Sequence, residues 1–263
     1  MNEMKSPLEH LFKTSKACIS VLQGRELDTD LITNESLLSI HSTEGFLANL
    51  HRELNKAHPE AGVPYWRVRS WGLSCWQPIY LALICVYHLK LVPNSLSRLH
   101  QNQQAAYIAG YALPNEVNDE NWFSGDHQQL VEFAAAQLKT LFNALQEEHL
   151  KQFGGRQVLY QALLADQFMT SMLVAQQMAF HDVEEKPSTY ENERAIKEEY
   201  TLWAHTLGLP LTPIERMYHE ESVLTFTRRS CCLHYRRDDG ELCAECPRHK
   251  KNKIHKEQDV RIN

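Results

Sequence analysis

The sequence has no apolar run of membrane-spanning length. Its most apolar stretch, Ile79 to Tyr87, falls far short of the roughly 20 residues a spanning helix requires, so the reading expects no transmembrane segment. The N-terminus shows no positively charged stretch followed by an apolar one, and Ala17 to Leu22 is too short for a secretory signal. There is no Gly-x-Gly-x-x-Gly fingerprint and no Walker loop, so no dinucleotide or nucleoside triphosphate is expected on those folds. The fourteen histidines include no His-x-x-x-His pair carrying a glutamate base, which removes the common zinc hydrolases. Positive charge is also short: the net charge is −6, so the whole-chain balance gives no support for nucleic-acid binding. On these absences the protein is expected to be cytoplasmic and globular, with its seven cysteines reduced and forming no disulfide framework.

The charge that is present is unevenly placed. Between Arg228 and Lys253 eight basic residues face four acidic ones, a net +4, which leaves −10 for the rest of the chain. A cationic C-terminal segment therefore follows an acidic body.

The body reads as helical. Ser6-Pro7-Leu8-Glu9 is a capping-box start with proline at the first helical position, and Ser188-x-x-Glu191 and Thr212-Pro213-x-Glu215 repeat the signal. Apolar residues at helical spacing run from Leu130 to Leu145, Gly154-Gly155 breaks the pattern, and a second run extends through Val158, Ala162, Phe168 and Leu173 towards Pro187. A further helix is expected from Pro78 to Lys90, and Pro114 to Gly125 reads as a loop. Cys18, Cys75 and Cys85 read as buried, inert thiols. After Glu221, Val223 to Thr227 favours a strand, and Asp238-Asp239-Gly240 marks a turn. The expected fold class is mainly α: a helical body over 1–220, a small strand/turn module over 221–250, and a basic, fraying tail over 251–263.

The module holds the densest chemistry. Cys231 and Cys232 are adjacent, ten residues follow, and Cys243-x-x-Cys246 closes a set of four thiols within sixteen residues. Four thiolates in a short, core-poor segment point to a soft metal that cross-links it. Zinc and iron–sulfur clusters both accept such a set. Adjacent cysteines diverge in extended chain, which suits two metal centres better than one tetrahedral ion. Cys232-Leu-His234 mimics half of a Rieske motif, but the second half has no histidine, so His234 reads as a surface or supporting residue.

Thr227-Arg-Arg-Ser-Cys-Cys-Leu-His-Tyr-Arg through Cys243-Ala-Glu-Cys246-Pro resembles the C-terminal motif of FhuF-type ferric siderophore reductases at all four cysteines and at the arginines ahead of them. A looser likeness runs over Tyr65-Trp66-Arg67, Ser70-Trp71-Gly72 and Trp76-Gln77-Pro78. The resemblance implies a [2Fe-2S] cluster on Cys231, Cys232, Cys243 and Cys246. It also implies one-electron reduction of siderophore-bound Fe(III), of the hydroxamate type, in the cytoplasm, with electrons from a separate low-potential donor. Peripheral contact with the inner membrane stays open. Arg228, Arg229, Arg236 and Arg237 would then support the cluster's negative charge or dock a partner, or else form a solvated basic face. Arg67, Arg69, Trp71 and Trp76 are candidate substrate contacts, because aromatic faces beside arginine suit a bulky ferric complex; the same aromatics would serve equally as core. Two rivals remain: a structural zinc knob that binds an acidic partner, and a [2Fe-2S] sensor or iron-handling accessory without reductase activity.

Overall fold

A computed structural model describes residues 6–27, 37–39, 43–114, 121–179 and 189–249. The seven α-helices among these residues are α1 (Pro7–Cys18), α2 (Thr43–Ala57), α3 (Gly62–Ile84), α4 (His127–Phe153), α5 (Gln157–Ala179), α6 (Thr189–Leu207) and the short α7 (Thr212–Glu215). The mainly α expectation holds. The Ser188 cap and the tail beyond 250 lie outside the described residues.

Helix starts follow local chemistry. Ser6 caps α1 by accepting from the Glu9 N–H at 3.2 Å. Asp126 and Gln129 form a reciprocal capping box on α4, with bonds of 2.9 and 3.0 Å. Gly154, at φ +63°, ends α4 and returns its N–H to the Leu150 carbonyl. Thr212 does not cap α7: it lies inside the helix, after Leu211, and its hydroxyl accepts from Arg229 at 3.2 Å.

Helix α3 is the axis of the fold. It is buried on most sides and packs against α2, α4 and α5. The helix expected to begin at Pro78 begins instead at Gly62, with Pro78 in its interior, and runs on into a π-helical turn over Cys85–Leu89. Proline removes the N–H that would reach the carbonyl four residues back, that of Ser74. Here the buried Gln101 side chain donates to the Ser74 carbonyl at 2.8 Å, while Gln77 donates to Gln101 Oε1 at 3.1 Å. A side-chain amide from a strand has replaced the missing helix bond.

That strand belongs to a sheet the sequence did not announce. β1 (Gly24–Leu27), β2 (Leu37–Leu38), β4 (His100–Gln104) and β5 (Tyr107–Pro114) form a sheet in the order β1-β5-β4-β2, with β1 parallel to β5 and the other pairs antiparallel. β3 (Val92–Pro93) pairs with β6 (Trp122–Phe123), placing a strand within the segment read as a loop. Cys75 and Cys85 are fully buried, as expected, whereas Cys18 is only half-buried.

Two helical stretches, Pro59–Leu89 and Gln157–Ala175, are long and apolar enough to cross a membrane by length and composition, contrary to the sequence expectation. Their apolar windows are 67% and 61% buried inside the fold, as core helices are.

The chain then turns towards the cysteines through β7 (Met217–Glu220) and β8 (Val223–Phe226). Glu221 and Ser222, both at positive φ, make the two-residue turn that matches hairpin twist. The ribbon spans residue 220, so the boundary expected there falls inside a hairpin.

Candidate metal centre

The cysteine module follows β8 and is held at two ends. Asp166, fully buried on α5, accepts from the Arg229 N–H at 3.0 Å, the Ser230 N–H at 2.8 Å and the Ser230 hydroxyl. Burial pushes its carboxyl pKa up, against the pull of these donors and of Arg228. At the other end Glu60 accepts from the Asp238 N–H at 3.2 Å, and Tyr65 on α3 lies 6.3 Å from the His234 ring, centroid to centroid. Sequence reasoning missed Asp166. Its signal was present: a lone acid in the apolar α5 run has to have a buried partner.

The module's own turns bring the four thiols together. Leu233 takes the left-handed conformation at φ +58°, which reverses the chain directly after Cys232. Its N–H donates to Cys231 Sγ at 3.4 Å, and the His234 N–H donates to Cys232. Gly240 permits the chain to return past His234: a Cβ there would stand 2.1 Å from the His234 carbonyl oxygen. The Cys246 N–H closes the second knuckle on the Cys243 carbonyl at 2.9 Å.

The thiols stand as two pairs. Cys232 and Cys243 are 3.7 Å apart, sulfur to sulfur, and Cys231 is within hydrogen-bonding reach of Cys246. The Cys232 thiol is pushed down to about 5, first by the bond from Cys243, then by the His234 N–H and the Arg228 charge. Cys243 is pushed up, because it keeps the proton the pair shares. Burial raises Cys231.

The donor set fits a two-metal thiolate group. Metal–sulfur bonds of about 2.3 Å in tetrahedral array put two sulfurs on one metal about 3.8 Å apart, close to the 3.7 Å found for Cys232 and Cys243. Two pairs are what two irons, each with two protein thiolates, require. Arg228 adds a second sign: its Nε is buried beside these thiols without a hydrogen-bond partner, 3.9 Å from Asp166 Oδ2. Residues 228–248 match the family model of the FhuF 2Fe-2S C-terminal domain. Over those residues the cysteine module is similar to an FhuF-type 2Fe-2S domain. The group it implies is a 2Fe-2S cluster. No solved structure matches the chain.

The cysteine module does not stand alone. Between it, α3 and α5 lies a cavity of about 410 Å³, walled by Arg69, Trp76, Tyr107 and Gln167 from the body and by Arg228, Cys232, His234 and Cys243 from the module. On α3 the lining residues are Val68, Arg69, Gly72, Leu73 and Trp76, a single helical face at i, i+1, i+4, i+5 and i+8. Trp76 is fixed by donating its indole N–H to the Ile108 carbonyl at 3.1 Å, and Arg69 lies over the Tyr107 ring, 6.0 Å from its centroid.

Of the four body residues singled out from the sequence, Arg69 and Trp76 reach this cavity. Arg67 and Trp71 do not: they lie on the other face of α3. Trp71 is fully buried, donates to the Tyr160 carbonyl at 3.1 Å and packs edge-on against His149. The Arg67 Nε is buried without a hydrogen-bond partner, and its charge acts on His51 and Tyr160. Of the four module arginines, Arg228 stands at the thiols. Arg229 and Arg236 are exposed, and Arg237 is ion-paired with Asp239 while its Nη1 lies 3.3 Å from His234 Nε2.

Proposed function

We propose that the protein is a cytoplasmic ferric-siderophore reductase, which takes a siderophore-bound Fe(III) complex, of the hydroxamate type, and releases Fe(II). One observation carries the proposal: two cysteines of the 2Fe-2S domain, Cys232 and Cys243, open onto a cavity walled by aromatic and cationic side chains of the helical body. Fe(III) is hard and highly charged, so oxygen donors hold it tightly; one electron makes it softer and weakly held, and other ligands can then remove it. The bound 2Fe-2S group supplies that electron. The chain's own part is to seat the complex and keep it close to the thiolates.

Trp76 and Tyr107 offer ring faces to the organic shell of the complex, and Arg69, Gln167 and His234 offer polar contacts. Arg228 and the N–H groups of Leu233 and His234 support negative charge on the sulfurs. The cavity is smaller than a whole siderophore complex, so the ligand enters by one face. The electron comes from a separate donor, since the sequence carries no dinucleotide fingerprint.

The test is a single turnover. Protein reduced anaerobically with one equivalent of dithionite is mixed with a ferric trihydroxamate and a ferrous trap. Reoxidation of the protein at the rate of Fe(II) capture supports the reading, and Trp76→Ala should raise the half-saturating substrate concentration severalfold without changing the visible spectrum. A reduced protein that stays reduced in the presence of the ferric complex rejects the reductase and leaves a sensor or iron-handling accessory.

A further inference from the structure

The two cysteine pairs differ in their surroundings. Cys232 and Cys243 line the cavity, whose wall also includes Arg228 from the module and Arg69 from α3. Arg228 holds its Nε buried there, 3.9 Å from Asp166 Oδ2 and without a hydrogen-bond partner. Cys246 is 1% exposed, and neither it nor Cys231 lines the cavity. In a four-thiolate two-iron group, reduction adds one negative charge, and that charge is most stable where cations and polar contacts face it.

We propose that the iron held by Cys232 and Cys243 takes up the electron, while the iron held by Cys231 and Cys246 stays ferric, and that Arg69 is the positioning residue through which the helical body favours this. One electron enters from an external one-electron donor and no bond is made or broken at the protein. The reducible edge thereby faces the cavity and not the buried side of the module. This assignment rests on the 2Fe-2S domain alone, not on the identity of the acceptor.

The experiment uses the full-length protein, reduced with dithionite and free of any ferric substrate, so its failure and that of the reductase reading are distinguishable. Each cysteine is replaced in turn by serine, whose harder oxygen favours ferric over ferrous iron. Cys232→Ser and Cys243→Ser should lower the midpoint potential and move the EPR g-values of the reduced state. Cys231→Ser and Cys246→Ser should change both far less. Because a serine variant can fail to assemble its cluster, Arg69→Gln supplies a second readout with all four thiolates intact. It should lower the potential, and Arg69→Lys should restore most of the loss. Equal shifts from all assembled serine variants, larger shifts from the Cys231/Cys246 pair, or an Arg69→Gln protein with the wild-type potential would overturn the assignment.

Discussion

Replacing Asp166 by alanine should detach the cysteine module from the helical body. The carboxylate side chain is 1% exposed and accepts from two backbone N–H groups and one hydroxyl of the module. Without it those three donors stay buried and unpaired, each at a cost of about 1–3 kcal/mol, and Arg228 loses its nearest counter-charge. Some donors will recover water as the segment loosens, so the net loss should be about 3–5 kcal/mol. That is a large part of the roughly 5–15 kcal/mol by which a typical domain is stable. Asp166→Asn keeps the shape and one acceptor but turns an amide donor towards a backbone N–H, and should lose about 1–3 kcal/mol. Urea denaturation followed by circular dichroism gives the energies, and visible absorbance after anaerobic gel filtration reports whether the cluster stays bound. An Asp166→Ala protein within about 1 kcal/mol of wild type, with full visible absorbance, would refute the view that this carboxylate clamps the module.

Three further outcomes are expected. Gly240→Ala forces a methyl to within 2.1 Å of the His234 carbonyl oxygen, so the variant should lose its visible absorbance while the helical circular dichroism signal persists; wild-type iron content would show that the turn relaxes freely. Gln101→Ala strips the Ser74 carbonyl of its donor and should cost about 1–3 kcal/mol. Adding Pro78→Ala, which restores a helix N–H, should recover part of that loss, and strictly additive urea midpoints would contradict the substitution of one bond for the other. His149 is buried with Nδ1–H donating to the Leu145 carbonyl at 2.8 Å, and burial lowers its pKa from 6.5 to about 4. Between those values the unfolded chain binds a proton that the folded chain does not. Stability should therefore fall by about 3 kcal/mol from pH 7 to pH 4 on account of this residue; a His149→Gln protein with the same pH dependence would contradict it.

The parts of the molecule that could be read in the sequence are those fixed by short-range chemistry. The four cysteines, the Asp238-Asp239-Gly240 turn and the strand before Cys231 lie within a few residues of their partners, and spacing alone identifies them. β4 was invisible because His-Gln-Asn-Gln-Gln has no apolar alternation; neighbouring strands and the bond from Gln101 to α3 make it a strand. Pro78 pointed to a helix start for the same reason, since the donor that lets it sit inside α3 comes from a residue 23 positions later. The mis-set helix start then obscured the candidate site. Had α3 been traced from Gly62, Arg69 and Trp76 would have fallen on one face and Arg67 and Trp71 on the opposite one, since positions two apart on a helix differ by about 200°. Asp166 lies 63 residues from Arg229 and 64 from Ser230, so only the fold could show what it holds.

The account stands on a two-iron thiolate group held in two cysteine pairs beside the body cavity. Metal and acid-labile sulfide analysis of anaerobically purified full-length protein, taken with its visible spectrum, tests this most directly. Two irons and two sulfides per chain in a red-brown protein that bleaches with dithionite are the predicted result. A colourless protein carrying one tightly bound zinc and no sulfide would contradict the account and leave a structural metal knob in its place.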